Sequence, residues 1–428
     1  MSFDAVALLR EAEALDERDP LREFRDEFLI PPHGAVDQAY FCGNSLGLQP
    51  RGVRQALLDE LDDWQQLGVE AHFRGRHPWM PYHEFVREDL AHVVGAEPVE
   101  VVAMNSLTVN LHLLMASFYR PERGRAAIVI EDGAFPSDRH AVASQIAWHG
   151  FDPVRELIEL PSDAEGLLDE EAILRALHQH GDRVALVMLP GVQYRSGQAF
   201  DLAAISRAAR ERGARVGFDL AHAAGNLDLR LHDSACDFAV WCSYKYLNSG
   251  PGAVAGAFVH ARHARSNLPR LAGWWGHDPT TRFHMGPEFV PAAGADGWQL
   301  SNPPILALAP LRVSLGIFRR AGMQGLRAKS KDMTGWLEKN LRAELADVLA
   351  IRTPRAVERR GCQLSLRVRG ARDDGRALFD HLNADGVVVD WREPDIIRVA
   401  PVPLYNRYAD CARLVASVVA WRDGRGGR

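Results

Sequence analysis

The sequence is poor in cysteine. Cys42, Cys236, Cys242, Cys362 and Cys411 are five in 428 residues, an odd number mostly widely spaced, with no C-x-x-C pair. That spacing argues against a disulfide framework and against a cysteine zinc site. It predicts reduced thiols in a cytoplasmic protein. Long apolar runs are also missing, so no stretch is predicted to cross a membrane. Met1 to Pro32 mixes acids, bases and apolar residues and has no apolar core like that of a signal peptide. Nor is there a basic stripe: the net charge is −6 with both signs scattered, which proposes no nucleic-acid partner. The final Arg422–Arg428 segment is basic and Gly-rich, and reads as a frayed terminus. Internal repeats and low-complexity segments are absent.

What is present is size and rhythm. Hydrophobic residues make up 47% of the chain, enough for a large core and more than one domain. Leu8 to Phe28 reads as an amphipathic helix that stops before Pro31-Pro32. A tight turn follows at Gly43-Asn44-Ser45-Leu46-Gly47, then a helix from about Gly52 to Leu67. From Glu100 short apolar runs recur at 101–104, 127–130, 184–189, 216–219, 238–242 and 254–259. Helical patterns such as Thr108 to Phe118 and Leu202 to Arg212 separate most of them. This alternation predicts a mainly parallel sheet covered on both faces, with ligands beyond the carboxyl ends of the strands. A long helical stretch, Ile305 to Glu344, breaks near Gly322 to Gly325. It leads to a smaller α/β layer with strands near 363–368, 387–389 and 396–399, and a last helix from Tyr408 to Trp421.

Chemistry gathers at the predicted strand ends. Lys245 closes an apolar strand and precedes the loop Asn248-Ser249-Gly250-Pro251-Gly252. Most lysines reach water, so this one alone says little. A lysine that forms a Schiff base, however, needs partial burial and a glycine loop that admits a cofactor. Asp219 ends the strand Val216-Gly217-Phe218. A buried carboxylate there needs a partner, and the protonated ring nitrogen of pyridoxal phosphate (PLP) is one; a helix cap is another. His222, three residues on, faces either that carboxylate and cofactor or the core. The turn Asn105-Ser106-Leu107-Thr108-Val109-Asn110 joins a strand to a helix start. It suits a phosphate, or simple capping by Ser106 or Thr108. Phe135-Pro136-Ser137-Asp138 follows another strand, and Phe135 would stack on a ring or fill the core. Phosphate turn, aromatic, aspartate and lysine come in the order found in PLP enzymes of the aspartate-aminotransferase fold.

The chain closely resembles the kynureninase family along nearly its whole length. The resemblance rests on 41–50 (FCGNSLGLQP), 107–114 (LTVNLHLL), 218–222 (FDLAH), 244–248 (YKYLN), 273–277 (GWWGH), 301–304 (SNPP) and 397–406 (IRVAPVPLYN). It implies an aspartate-aminotransferase-like α/β fold. A large PLP-binding domain over 51–310 would hold a mostly parallel seven-stranded sheet, with a small C-terminal α/β domain over 311–428. A helical and extended segment, 1–50, would lie on the small domain and reach the active site. The implied enzyme is a cytoplasmic homodimeric hydrolase of tryptophan catabolism and NAD biosynthesis. It would cleave the Cβ–Cγ bond of L-kynurenine, or of 3-hydroxykynurenine, to anthranilate or 3-hydroxyanthranilate and L-alanine.

The resemblance assigns Lys245 to the Schiff base and Asp219 to the ring nitrogen. Leu107, Thr108 and Tyr244 would hold the phosphate, Phe135 would stack, and Pro136, Ser137, Asp138 and His222 would line the cofactor. Trp274 and Asn302 would reach the partner subunit's site. Ser45, His72, Asn302 and Arg398 would contact substrate, and Tyr244 would move protons beside Lys245. No metal is expected. Pro190 departs from relatives with Ser or Thr there, so any cofactor bond from that side chain is lost. The competing readings are a cysteine desulfurase or selenocysteine lyase, and a silent PLP-binding protein. The desulfurases place a histidine before the lysine, where this chain has Tyr244, and use a cysteine in the small domain. Cys362 is the available cysteine, and its place at the head of a strand marks it as structural.

Overall fold

The computed structural model describes residues 3–425. Its centre is a seven-stranded sheet of β1 (Val101–Ala103), β2 (Ala127–Glu131), β3 (Leu157–Leu160), β4 (Val184–Pro190), β5 (Arg215–Asp219), β6 (Phe238–Trp241) and β7 (Gly256–Val259). The spatial order is β1-β7-β6-β5-β4-β2-β3. β7 runs antiparallel to both neighbours, and the other pairs are parallel. The inner strands form because their apolar runs are buried on both faces and leave no polar side to solvate. Successive side chains alternate between two cores. Ile128, Ile130, Leu186 and Met188 pack with Leu111, Leu114 and Ile146 on one face. Val129, Val187 and Leu189 pack with Ile173 and Ile205 on the other. Truncating one such residue to alanine costs about 2–5 kcal/mol.

β3 was not foreseen. It sits at the edge, pairs with β2 from Ile128↔Leu157 onward and is only half buried. Its Glu159 faces Arg139 at 2.9 Å, so it lacks the unbroken apolar run of its neighbours.

The helices Ile305–Ala321 and Met323–Leu345 lead out of this layer. They meet at Gly322, whose φ of +73° is costly for any residue with a Cβ. Beyond them lies a four-stranded antiparallel sheet, β8 (Leu349–Ile351), β9 (Leu364–Val368), β10 (Asp390–Arg392) and β11 (Ile396–Val399), in the order β8-β9-β11-β10. The first and last helices share its core: Leu8 and Ala12 of Ala5–Arg18 cluster with Leu414, Val415 and Trp421 of Tyr408–Arg425. Asp16 accepts from the Tyr408 and Ala409 amides at 2.7 and 3.0 Å, which puts a carboxylate on the start of the last helix. Ala39–Tyr40 pairs in parallel with Val387–Val388, and Cys42 bridges to Ala400. The N-terminal segment is thereby laid beside β11.

Two expectations change. The first helix ends at Arg18, not Phe28, because Pro20 follows and the chain continues as the 3-10 turn Arg22–Glu27. The last helix runs to Arg425. Arg422 donates to the Glu344 carbonyl at 2.7 Å and Arg425 pairs with Asp374, so Arg422 to Arg425 do not fray. The rest of that tail, 426–428, lies outside the described residues.

Candidate active site

The carboxyl ends of β1, β2, β4, β5 and β6 open into one cleft. Asn105 leaves β1 with a φ of +49°, a conformation asparagine tolerates. Its Nδ2 donates to Asn110 Oδ1 at 3.0 Å, and Asn110 Nδ2 donates to the Met104 carbonyl at 2.9 Å. This cross-brace fixes the turn into the helix Leu107–Phe118. Ser106 holds the N-cap position but makes no capping bond through its side chain. Thr108 Oγ1 instead lies 2.9 Å from Ser137 Oγ. Side-chain capping therefore does not explain this segment. Leu107, Thr108 and Ser137 line the cleft, and the helix start brings its positive end to it.

Carboxylates crowd the next strand ends. Glu131 ends β2 in the interior, and burial pushes its carboxyl up to about 8, with Asp219 adding to the shift. Asp138 sits in the first turn of the helix Pro136–Trp148. Burial, and then the neighbouring Asp219, raise its carboxyl well above the usual range. Asp219 ends β5, and its Oδ1 accepts from the Ala221 amide at 2.7 Å. Two neighbouring buried carboxyls do not both ionise, and the raised Asp138 carboxyl is the one that keeps a proton.

Lys245 follows β6. Its Nζ is 3.2 Å from His222 Nε2 and 5.9 and 5.8 Å from the Phe135 and Tyr244 rings. Burial, with the Lys245 charge second, holds His222 well below its usual range, so the imidazole is neutral. Its Nδ1 and Asp138 Oδ1 are buried without a hydrogen-bond partner among the described residues. Burial raises the Tyr244 phenol, with the Cys242 thiol assisting, so its hydroxyl keeps its proton. Behind the lysine the turn 42–47 presses close: Gly47 donates its N–H to the Tyr244 carbonyl at 2.8 Å. A Cβ on Gly47 would lie 2.3 Å from the Lys245 carbonyl oxygen, which leaves room for glycine alone.

Leu107, Thr108, Phe135, Ser137, Asp138, Asp219, His222, Tyr244 and Lys245 thus line one cleft. Pro136 opens the helix beside Phe135 without lining it. Ser45 is carried by the turn that meets Tyr244, and is half buried. Arg398 lies on β11, 1% exposed. Its Nη1 donates to the carbonyl of Tyr194, a residue of the cleft wall, at 2.9 Å. Its Nε donates to Asp390 Oδ1 at 3.2 Å. Nη2 stands 2.9 Å from Asp390 Oδ2 but out of hydrogen-bond alignment, so it keeps donors to spend. His72, Trp274 and Asn302 stand outside the cleft. His72 Nδ1 is 3.0 Å from the Val69 carbonyl, Trp274 packs on Trp275 and Phe283, and Asn302 is exposed.

Sequence reasoning missed Glu131 and Tyr194. Glu131 carried the same signal as Asp219, an acid directly closing an apolar strand. Tyr194 lies in a loop with no pattern to mark it. Pro190 does line the cleft. Cys362 is fully buried, with its thiol pushed up to about 12 by burial, and is no exposed nucleophile.

Comparison with known proteins places this cleft in context. Residues 326–418 match the family model described as the kynureninase C-terminal domain. The kynureninase of Xanthomonas campestris pv. campestris (strain B100) is 63% identical over 411 residues, 96% of this chain and 97% of that protein. Among solved structures, a C-DES variant with glycine covalently linked to its PLP cofactor matches with a TM-score of 0.75 at 19% identity, over 90% of this chain and 99% of that one. The cysteine desulfurase CsdA of Escherichia coli matches with a TM-score of 0.75 at 17% identity, over 94% and 98%. The fold is therefore that of the PLP-dependent, aspartate-aminotransferase-like enzymes.

Proposed function

The chain belongs to the kynureninase family, and from that membership we infer a PLP-dependent hydrolase that cleaves the Cβ–Cγ bond of L-kynurenine to anthranilate and L-alanine. It acts on a small ketonic substrate in tryptophan catabolism. The observation that carries the site assignment is the Lys245 amine, 3.2 Å from a neutral His222, in a cleft that also holds Asp219 and the helix start at Leu107.

The cleft suits PLP on its own chemistry. An uncapped helix start and two hydroxyls offer donors to a phosphate, and a buried carboxylate offers a partner to a ring N–H. The orphaned His222 Nδ1 and Asp138 Oδ1 await a polar neighbour. We assign the phosphate to Leu107, Thr108, Ser137 and Tyr244, the ring face to Phe135 and His222, the ring nitrogen to Asp219, and covalent attachment to Lys245. When bound, PLP supplies an electron sink conjugated to the substrate amine.

The residues then divide the work. Arg398, anchored by Asp390 and the Tyr194 carbonyl, presents Nη2 to the substrate α-carboxylate and orients the Cα–H bond. Lys245 Nζ takes the α-proton. The Tyr244 hydroxyl, kept protonated, handles protons as water adds to the aryl ketone and anthranilate leaves. Ser45, beside the lysine loop, would contact substrate, and His72, outside this cleft, would do so only across a subunit contact.

A homodimer fits the exposure of Trp274 and Asn302, which would complete the partner's cleft. A groove of about 870 Å³ lined by Leu29, Ile30, Leu57 and Leu306 offers an apolar face for that contact. No helix among the described residues is long and apolar enough to cross a membrane. Five buried free cysteines favour the cytoplasm. Purified protein should show a visible absorption band from the lysine-bound cofactor, and Lys245→Ala should abolish it. Survival of the band in that variant would remove Lys245 from its role.

A further inference from the structure

Glu100 ends the 3-10 turn Pro98–Glu100 just before β1, so it lies at the end of the sheet opposite the cleft. It is fully buried. Two histidines from other segments meet it. His232 comes from the short helix Leu231–Ser234, and His260 follows β7. His232 Nδ1 is 3.0 Å from Glu100 Oε1, and His260 Nδ1 is 3.5 Å from the same oxygen. All three ligand atoms lie within 4.8 Å of one another.

The protonation pattern of this cluster is unusual. His260 Nδ1 accepts from the Arg262 amide at 3.2 Å, so it carries a lone pair and no proton. It therefore confronts Glu100 Oε1 as one acceptor facing another. His232 has its second nitrogen, Nε2, 3.9 Å from Glu97 Oε1. Its Nδ1 is hydrogen-bonded to Glu100 Oε1, and a divalent ion seated between the two would replace that proton. Glu100 itself is fixed: its Oε1 accepts from the Ala261 amide at 2.7 Å and its Oε2 from the Glu97 amide at 2.9 Å. The nearby cation Arg262 is occupied by Asp237 at 2.8 Å, as is His263.

We propose that Glu100, His232 and His260 bind one zinc-class divalent ion through one carboxylate oxygen and two imidazole nitrogens, with water in the open position. Zinc bonds of about 2.0–2.1 Å in a tetrahedron separate ligand atoms by about 3.3 Å, and the 3.0 and 3.5 Å spacings bracket that value. Half-exposed His232 gives the ion an entry from solvent. The ion would clasp the start of β1, the chain after β7 and the segment 231–234. Its role would be to hold the far end of the sheet, independent of the reaction at Lys245.

Equilibrium dialysis of the PLP-loaded, EDTA-treated protein against zinc chloride tests this. The wild type should retain one zinc per chain, and zinc should raise its Tm. His232→Ala and His260→Ala should each weaken binding at least tenfold and lose the rise in Tm. Glu97→Gln keeps an acceptor for the Glu100 amide and removes the charge 3.9 Å from the outer nitrogen; it should weaken binding several-fold with little change in the metal-free Tm, which separates an effect on the ion from misfolding. Zinc uptake that is absent in the wild type, or unchanged in all three variants, would overturn the proposal.

Discussion

The Lys245 amine lies 3.2 Å from Nε2 of His222, a histidine that burial keeps neutral. A neutral imidazole accepts a hydrogen bond from the amine and adds no charge against it. It also presents a flat face in the cleft proposed to hold the cofactor ring. His222→Ala should lower kcat by about ten- to a hundredfold through lost positioning, with KM changing little and PLP retained. Steady-state kinetics beside the absorption spectrum would check this, and an unchanged kcat would place His222 in the core alone.

The proton held by Asp138 makes the cleft's carboxylates unequal. Asp219→Asn removes the carboxylate proposed to pair with the ring nitrogen and should lower kcat by about a hundredfold or more. Asp138→Asn keeps a donor at the same place and should stay within about tenfold of wild type. Equal losses in the two variants would show that Asp219 is not the ring nitrogen's partner.

Glu131 gives a pH signature in the cofactor-free protein. Its folded-state pKa of about 8 exceeds the ordinary 4.5. The folded state therefore binds this proton more tightly. Its contribution to stability is full below about pH 4.5 and falls as pH rises toward 8, by a few kcal/mol in order of magnitude. Glu131→Gln should flatten the decline in Tm across that window. Parallel curves for the two proteins would contradict the assignment.

Much of this site was legible because buried parallel strands announce themselves. β2, β4, β5 and β6 are apolar runs with no polar face, and Asp219 and Lys245 stand out at their ends. β3 escaped because an edge strand shares its pattern with a loop. The Pro20 stop was readable, but the charged pattern running past it to Phe28 obscured it. Glu131 was readable by the rule that found Asp219. The Glu100–His232–His260 cluster was not, because its members come from three distant segments and only the sheet brings them together. Arg398 entered through family resemblance. Its tie to Asp390 depends on strand pairing and its tie to Tyr194 on two domains meeting, neither of which a local pattern encodes.

Gly47 tests the packing behind the lysine. An alanine there would meet the Lys245 carbonyl and Asn248 Oδ1 at 2.3 and 2.2 Å. Gly47→Ala should cost about 1–3 kcal/mol and perturb the lysine-bound absorption band. A normal Tm and spectrum would mean that the 42–47 turn does not brace this loop.

Arg398 is both buried and paired. Arg398→Ala should raise KM at least tenfold with PLP still bound, and should lower stability by about 1–3 kcal/mol through lost buried hydrogen bonds, Asp390 keeping only Arg392 at 3.3 Å. Adding Asp390→Asn should restore much of the stability but not KM. Recovery of KM in the double variant would show that Arg398 serves the fold rather than the substrate.

Hydrolytic splitting of kynurenine in the cleft around Lys245 is the reaction we propose. Its most direct measurement follows anthranilate fluorescence when the PLP-loaded protein is given L-kynurenine, with alanine quantified in the same sample. Anthranilate and alanine in equal amounts, both lost in Lys245→Ala, are the predicted result. No anthranilate from the wild type, or sulfide released from cysteine in its place, would contradict it.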